Sequence, residues 1–462
     1  MGESCAYCGS ADVVYSGKRR NLTGTKQLVR CNACGRTFTP DPLKRLRVHP
    51  DIVRAAVVLG EQGNSLAEIQ QSLEKQFAKK VSRWSILQWL KKHTGMHKQF
   101  QKAEGEEQKK LLSLFKGKVI LVTGGTGSLG KALVKTLMNY QPRVVRVYDL
   151  DETKLFEMEH EFEHEMPWAI KQEMVRFLVG DIKEKERLMR AMERVDIVFH
   201  LAALKHVASC EYNPFEAVKT NALGTQNIID AALANNVERV IFTSSDKAAY
   251  PNNTMGATKL LAERLITSAN YYKGGRRTVF ASVRFGNVIG SRGSVVPLFL
   301  RQIKNGGPVT VTDPTMTRFV MSQRQAISLI FKCTRIANGG EIFILKMPII
   351  RIGDLASVLI NEVAPRHGHK PEDIATKIIG LKPGETHYEE LMTEEEASRA
   401  VETKDMFVVP PLLAGTLHGT ARVHKYTGES VRAKHYNSRS ETPLTAEELK
   451  VLLANEGALD SE

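Results

Sequence analysis

Cysteine is scarce in this chain of 462 residues: there are six, and four fall within the first 34 positions. So local a cluster excludes a disulfide framework spread through the fold. Long apolar runs are missing as well. No stretch reaches the roughly 18 consecutive apolar residues of a membrane-spanning helix, and the N-terminus lacks the apolar segment of a signal peptide. No membrane partner and a cytoplasmic location are therefore expected. Acidic residues are in deficit, 51 against 65 basic ones, for a net charge of +14. The imbalance is local: residues 1–100 hold 17 Lys/Arg and 7 Asp/Glu. A polyanionic partner is expected there, if anywhere. The length implies two or three domains.

Cys5 and Cys8, then Cys31 and Cys34, form two C-x2-C knuckles with Gly9 and Gly35 directly after them. Glycine allows the sharp turn that lets both thiolates of a knuckle face one ion. Four thiolates at this spacing suit a structural Zn2+ with no open position. The expectation is a zinc ribbon over residues 1–42, with a redox dithiol pair as the competing reading. Helical spacing follows at 51–59, 66–77 and 83–92, and the short break between the last two suggests a helix-turn-helix over 43–97. Lys79, Lys80, Arg83, Lys91 and Lys92 flank or lie on the candidate recognition helix. The knuckle CNACGRTFT with these helices resembles the DNA-binding end of insertion-sequence transposases, which implies DNA as a possible partner. Residues 98–117 read as a charged linker helix.

At Lys118 the pattern changes. KVILVT (118–123) is a continuous apolar strand, TGGTGSLG follows at once, and an amphipathic helix is expected over 131–139. Gly124, Gly127 and Gly130 form the turn of a dinucleotide-binding strand-turn-helix. The first two allow the backbone to approach a pyrophosphate, and the third lets helix and strand pack closely. Thr126, Ser128 and Leu129 complete the loop. RVVRVYD (143–149) ends in Asp149, 19 residues after Gly130. A carboxylate there binds ribose hydroxyls and favours NAD over NADP. A helix-capping role for Asp149, and Asp151 as its rival, remain open. Further strands are expected at 176–182, 196–203 and 239–246. Alternating strands and helices imply an α/β fold with a Rossmann-like, doubly wound parallel sheet over 118–415. A small C-terminal substrate subdomain belongs to the same expectation, and residues 416–462 form an extension ending in a helix at 445–454.

The chemistry is concentrated in TSSDKAAYPNNTMGATKLLAERL (243–265). Short-chain dehydrogenases place a tyrosine four residues before the lysine that is Lys259 here, and this chain has Met255. A thioether cannot accept a proton, so proton transfer rests on other groups. The segment resembles the nucleotide-sugar 4,6-dehydratases, within them the branch carrying methionine for tyrosine. That resemblance implies a UDP-N-acetylhexosamine substrate and NAD as hydride carrier. It implies Lys259 at the nicotinamide ribose, Ser245 at sugar O4, Asp246 as acid at O6 and Lys247 as base at C5. Lys247 must then be a neutral amine, with its proton affinity lowered by burial and by Lys259. Met255 leaves the base at O4 open, and Asp246 is expected to serve there too. Tyr250 is expected to be a packing residue. Relatives with methionine at this place typically retain C5 configuration.

By the same resemblance Asp181 and Ile182 lie beside the adenine, and Leu201, Ala202 and Ala203 pass under the cofactor. Lys205, Asn287, Arg292, Ser294 and Arg318 face the sugar or its phosphates, Asn221 holds site backbone or substrate, and Glu389 or Glu390 meets the uridine ribose. A homo-oligomer is expected. Two alternatives stand beside the dehydratase: a DNA-binding regulator that senses a nucleotide sugar or NAD, and a UDP-sugar 4-epimerase.

Overall fold

A computed structural model of the chain describes residues 106–413 and 436–459 throughout. Elsewhere it describes the segments 13–21, 24–32, 37–38, 66–77 and 429–430 and positions 52, 55, 56 and 86. Two compact units divide at Lys109/Lys110.

In the first unit, strands Val13–Asn21, Gly24–Cys31 and Thr37–Phe38 form an antiparallel sheet. Leu66–Phe77 is the expected helix, with Ile69 and Leu73 buried. Cys5, Cys8 and Cys34 lie outside the described residues. Cys31 ends its strand, and its side chain is likewise outside them. The helices expected near 51–59 and 83–92 are described only at isolated positions, so the zinc-ribbon and helix-turn-helix expectations rest on the sequence. Among the described residues, no His/Cys/Asp/Glu group is placed to hold a metal, and no helix is long and apolar enough to cross a membrane.

The second unit is built on a ten-stranded sheet among the described residues. Its parallel strands are β1 (Val119–Thr123), β2 (Val144–Asp149), β3 (Val175–Val179), β4 (Ile197–His200), β5 (Arg239–Ser245), β6 (Val279–Phe285) and β7 (Ile342–Leu345). They run in the order 3-2-1-4-5-6-7. The antiparallel strand β8 (Met406–Val409) follows β7. This is the doubly wound order that places a ligand crevice at the carboxyl ends of the strands. All five residues of β1 are buried, as a strand covered on both faces requires.

Helix α1 (Ser128–Met138) starts three residues before the expected Lys131, because the chain completes its turn at Gly124–Gly127 and Gly130 lies inside the helix. Helix α2 (Thr254–Tyr272) carries Met255 and Lys259 on its buried face. Residues 106–115 are helical. At the end of that helix Leu111 and Phe115 enter the main core, and the Phe115 ring lies 4.8 Å from that of Phe331. The end of the expected linker is therefore part of this unit.

The substrate lobe has its own core. Helices α3 (Val295–Lys304), α4 (Ile352–Val363) and α5 (Ala446–Asn455) pack Phe299, Leu355, Leu359, Leu449 and Leu453 together. A three-stranded sheet of Asn287–Val288, Thr317–Met321 and Ile349–Arg351 lies beside them. The Thr445–Glu448 capping box starts α5, one residue from the expected start. The C-terminal segment is thus an integral wall of the lobe.

Candidate functional site

Two cavities open at the carboxyl ends of the parallel strands. The larger, about 1110 Å3, runs over the glycine turn. The other, about 650 Å3, lies under the substrate lobe. They meet at Asp246, Lys247, Asn287, Val288, Gly293 and Ser294.

Every residue expected at the cofactor lines the larger cavity: Gly124, Thr126, Gly127, Ser128, Leu129, Gly130, Asp149, Asp181, Ile182, Leu201, Ala202, Ala203 and Lys259. Gly124 sits at φ +68°, and a Cβ there would come within 2.7 Å of Ala202 N. At Gly130 a Cβ would fall 2.3 Å from Gly124 O, so only glycine lets α1 meet the turn. Asp149 Oδ2 accepts from Thr126 N at 3.0 Å and from Thr126 Oγ1 at 2.7 Å. Asp151 is the helix cap, accepting from Lys154 N at 3.1 Å. The two aspartates therefore have separate duties, and only Asp149 ties the second strand to the glycine turn.

His200, which the sequence did not single out, is fully buried. It bridges Thr123 Oγ1 at 2.8 Å and Thr225 Oγ1 at 3.1 Å. Burial drives its pKa down to about 3, so the ring is neutral and serves as a fixed polar brace between β1 and the Gly224–Ala234 helix. Ser244 was also missed. Its hydroxyl faces the same region and, like that of Ser294, is buried without a hydrogen-bond partner.

At the end of β5, Ser245 Oγ donates to Asp246 Oδ1 at 2.6 Å. Lys247 Nζ donates to Asp246 Oδ2 at 2.8 Å. The same ammonium lies 3.3 Å from Glu389 Oε1, a residue 142 positions away. Asn287 Nδ2 donates to both Glu389 oxygens at 3.1 and 3.0 Å, Phe319 N donates at 3.1 Å, and Arg318 Nε lies 3.4 Å away. Ser438, from the C-terminal segment, accepts from Glu389 N at 2.9 Å. Glu389 thus belongs to the Asp246–Lys247 cluster. The expected place at a uridine ribose does not suit a carboxylate whose oxygens already take these five contacts.

The electrostatics of Lys247 also overturn an expectation. Burial disfavours its charge, yet the two carboxylates outweigh burial and raise its pKa above the ordinary value. The resting group is an ammonium. Asp246 is likewise pushed up by burial, but Lys247 and its hydrogen bonds leave its pKa lowered. For Glu389, burial and the Asp246 charge raise it. Lys259 is the amine that burial depresses, to about 8. Its Nζ donates to Thr243 O at 2.9 Å and stands 4.6 Å over the Phe242 ring, away from the Asp246–Lys247 contact.

Met255 is 4% exposed and packs with Cys210 and Ala217. Tyr250 is not the expected packing residue. It is 46% exposed, and its hydroxyl accepts from Glu394 N at 3.2 Å. Asn221 lines neither cavity. Its amide is spent on Leu204 N and O and on Thr258 Oγ1, at 2.8, 3.0 and 3.0 Å, within a π-helical turn. It fixes site backbone and is not placed to bind substrate. Arg292 also departs from the expected sugar side: its guanidinium reaches Thr126 O, and its N–H donates to Ser128 Oγ at 3.0 Å. Lys205 Nζ donates to Arg292 O at 2.7 Å. These contacts fasten the 290–294 loop across the glycine turn. Ser294 and Arg318 line the second cavity.

The family model for the polysaccharide biosynthesis protein family matches residues 120–411. The chain belongs to that family. Among its relatives is an uncharacterized membrane protein, MJ1061, of Methanocaldococcus jannaschii, 54% identical over 74% of this chain and 96% of that one. Another is a UDP-N-acetylglucosamine 4,6-dehydratase (inverting) of Campylobacter jejuni, 41% identical over 64% of this chain and 84% of that one. A UDP-glucose 4-epimerase of Rickettsia rickettsii is 36% identical over 74% and 96%. Among solved structures, Pen from Bacillus thuringiensis is 48% identical with a TM-score of 0.68, covering 74% of this chain and 99% of that one. The family of nucleotide-sugar dehydratases and epimerases thus accounts for the second unit; the first lies outside the matched residues.

Proposed function

We propose that this family member is an NAD-dependent 4,6-dehydratase of a UDP-N-acetylhexosamine, with UDP-N-acetylglucosamine the first substrate to try. The observation that carries the reading is the Asp246–Lys247 pair at the junction of the two cavities, with Met255 where a short-chain dehydrogenase has its tyrosine. The larger cavity suits a dinucleotide: its glycine turn leaves no room for a Cβ, its wall carries Asp149, and the Ser244 hydroxyl lacks a protein partner. Nicotinamide bound there would carry a hydride between C4 and C6 of the sugar.

The chain's own groups manage the protons. Ser245 orients the 4-hydroxyl, and Asp246, kept ionised by Lys247, takes the O4 proton. Asp246 later delivers that proton to O6, which leaves as water. Lys247 removes the C5 proton, which the 4-ketone has acidified, and returns it. One base returning the proton to the face it left retains configuration at C5. Retention would set this enzyme apart from the Campylobacter relative, whose name states inversion. An epimerase needs a single base at O4 and no C5 base, so the charged cluster around Lys247 favours dehydration over the alternative suggested by the Rickettsia relatives. The DNA-binding regulator rests on residues 1–97 alone.

NMR of the product formed from UDP-N-acetylglucosamine and NAD+ tests the proposal. A 4-keto-6-deoxy sugar from the wild type and none from Lys247→Ala is expected, and the C5–H5 couplings report configuration. A 4-epimer, or no product from a protein that binds UDP, overturns it.

A further inference from the structure

The proposed chemistry needs a neutral amine at Lys247, whereas the folded protein holds an ammonium there. The lysine faces three charged groups. Asp246, its chain neighbour, is 2.8 Å away. Glu389, just before the Glu390–Met392 strand, is 3.3 Å away, and Arg318 of the Thr317–Met321 strand acts on Lys247 and on Glu389, 3.4 Å from the latter. Asp246 is already committed to the proton that travels from O4 to O6. Glu389 is the remaining acceptor in contact with Nζ. Its side chain is 4% exposed, and donors hold both its oxygens in place.

We propose that Glu389 is a positioning residue that accepts a proton from Lys247 and so turns the resting ammonium into the base that acts at C5. The inference rests on the dehydratase reading. An N–H bond of Lys247 breaks, an O–H bond forms at Glu389 Oε1, and both charges cancel. The freed lone pair takes the C5 proton. The C–H electron pair forms the C5–C6 double bond and expels the 6-hydroxyl, which receives its proton from Asp246. Once hydride has returned to C6, Lys247 gives its proton back to C5. Glu389 then restores the ammonium, and no proton is gained or lost beyond the water released. The upward displacement of Glu389 by burial and by the Asp246 charge suits it to receive a proton.

The test is Glu389→Gln, which keeps the shape and an acceptor oxygen but cannot take a proton. Turnover should fall about 100-fold or more, the range for a lost acid–base group, while UDP affinity by calorimetry is unchanged. Removal of O4–H needs only Asp246, so reduced nicotinamide should still appear by its near-ultraviolet absorbance and should accumulate. The variant's rate should climb with pH, because Lys247 has lost one of the two carboxylates that hold its proton. Glu389→Asp, a shorter acceptor, should recover part of the rate. Undiminished turnover in Glu389→Gln, an unchanged pH profile, or loss of nicotinamide reduction together with turnover would overturn the inference. A variant that does not fold shifts the decision to Glu389→Asp, where an unaltered rate and pH profile overturn it. Failure of the dehydratase reading is a separate result, since the wild type would then give neither product nor nicotinamide reduction.

Discussion

Arg284 in β6 is fully buried, and its removal offers a quantitative check on how the reaction centre is supported. Its guanidinium meets Glu263 of α2, with Nη2 2.5 Å from Oε2, and Glu396 of the Glu394–Arg399 helix, with Nη1 2.8 Å from Oε2. A further bond runs from Nη1 to Leu391 O at 2.9 Å, two residues beyond Glu389. Arg284→Met would leave two carboxylates facing each other out of water. Removing one partner of a buried ion cluster costs about 3–5 kcal/mol, and this cluster has two anions to strand, so the upper half of that range is expected. Urea unfolding followed by tryptophan fluorescence would read the loss.

The pH dependence fixes the sign. Burial pushes the Glu396 carboxyl up, but Arg284 outweighs burial and holds it below 4.5. That contribution is complete above the ordinary carboxylate value and fades as pH falls through the lowered one. Without Arg284 the carboxyl is no longer held down, so the deficit of the variant should shrink toward acid pH. The triple change Arg284→Met, Glu263→Gln, Glu396→Gln should regain most of the stability, because no charge is then unpaired. A loss below about 1 kcal/mol, typical of exposed pairs, or a deficit that grows toward acid pH would refute this account.

Arg292→Ala should weaken NAD binding and leave UDP binding intact, since the guanidinium is fastened to Thr126 O over the glycine turn; calorimetry with each ligand decides, and the opposite pattern would return Arg292 to the sugar side. Lys259 is charged below a pKa of about 8 and neutral above it. NAD affinity should therefore decline as pH rises through that value in the wild type and be flat in Lys259→Met, measured by the same titration. Met255→Tyr should give no gain in turnover, because the proposed base at O4 is Asp246 and not the residue at 255; a rate measurement checks it.

The cofactor half of the site is local in the chain, and for that reason it can be read from sequence. A strand, its glycine turn and the next strand's terminal aspartate lie within 31 residues, Val119 to Asp149. Each glycine has a steric cause that spacing alone conveys. The helix start was misplaced because Gly130 looks like part of the turn, when it is the point where helix touches turn. The reaction centre is only half legible. Asp246, Lys247 and Lys259 share one segment, whereas Glu389 reaches them from the far lobe, and Ser438 supports it from a stretch with no motif at all. The charge on Lys247 was misjudged for the same reason: its partners could not be counted until the lobes were brought together.

The lobe's C-terminal wall has a consequence for truncated chains. The groups lining the larger cavity all precede residue 295, although the core beneath them takes in side chains as late as Val409. The second cavity requires Leu449 and Leu453 of α5, and Glu389 requires Ser438. On the proposed function, a chain cut short of residue 438 would keep the residues of the larger cavity but lose the support of Glu389, so dinucleotide binding without turnover is the expected outcome.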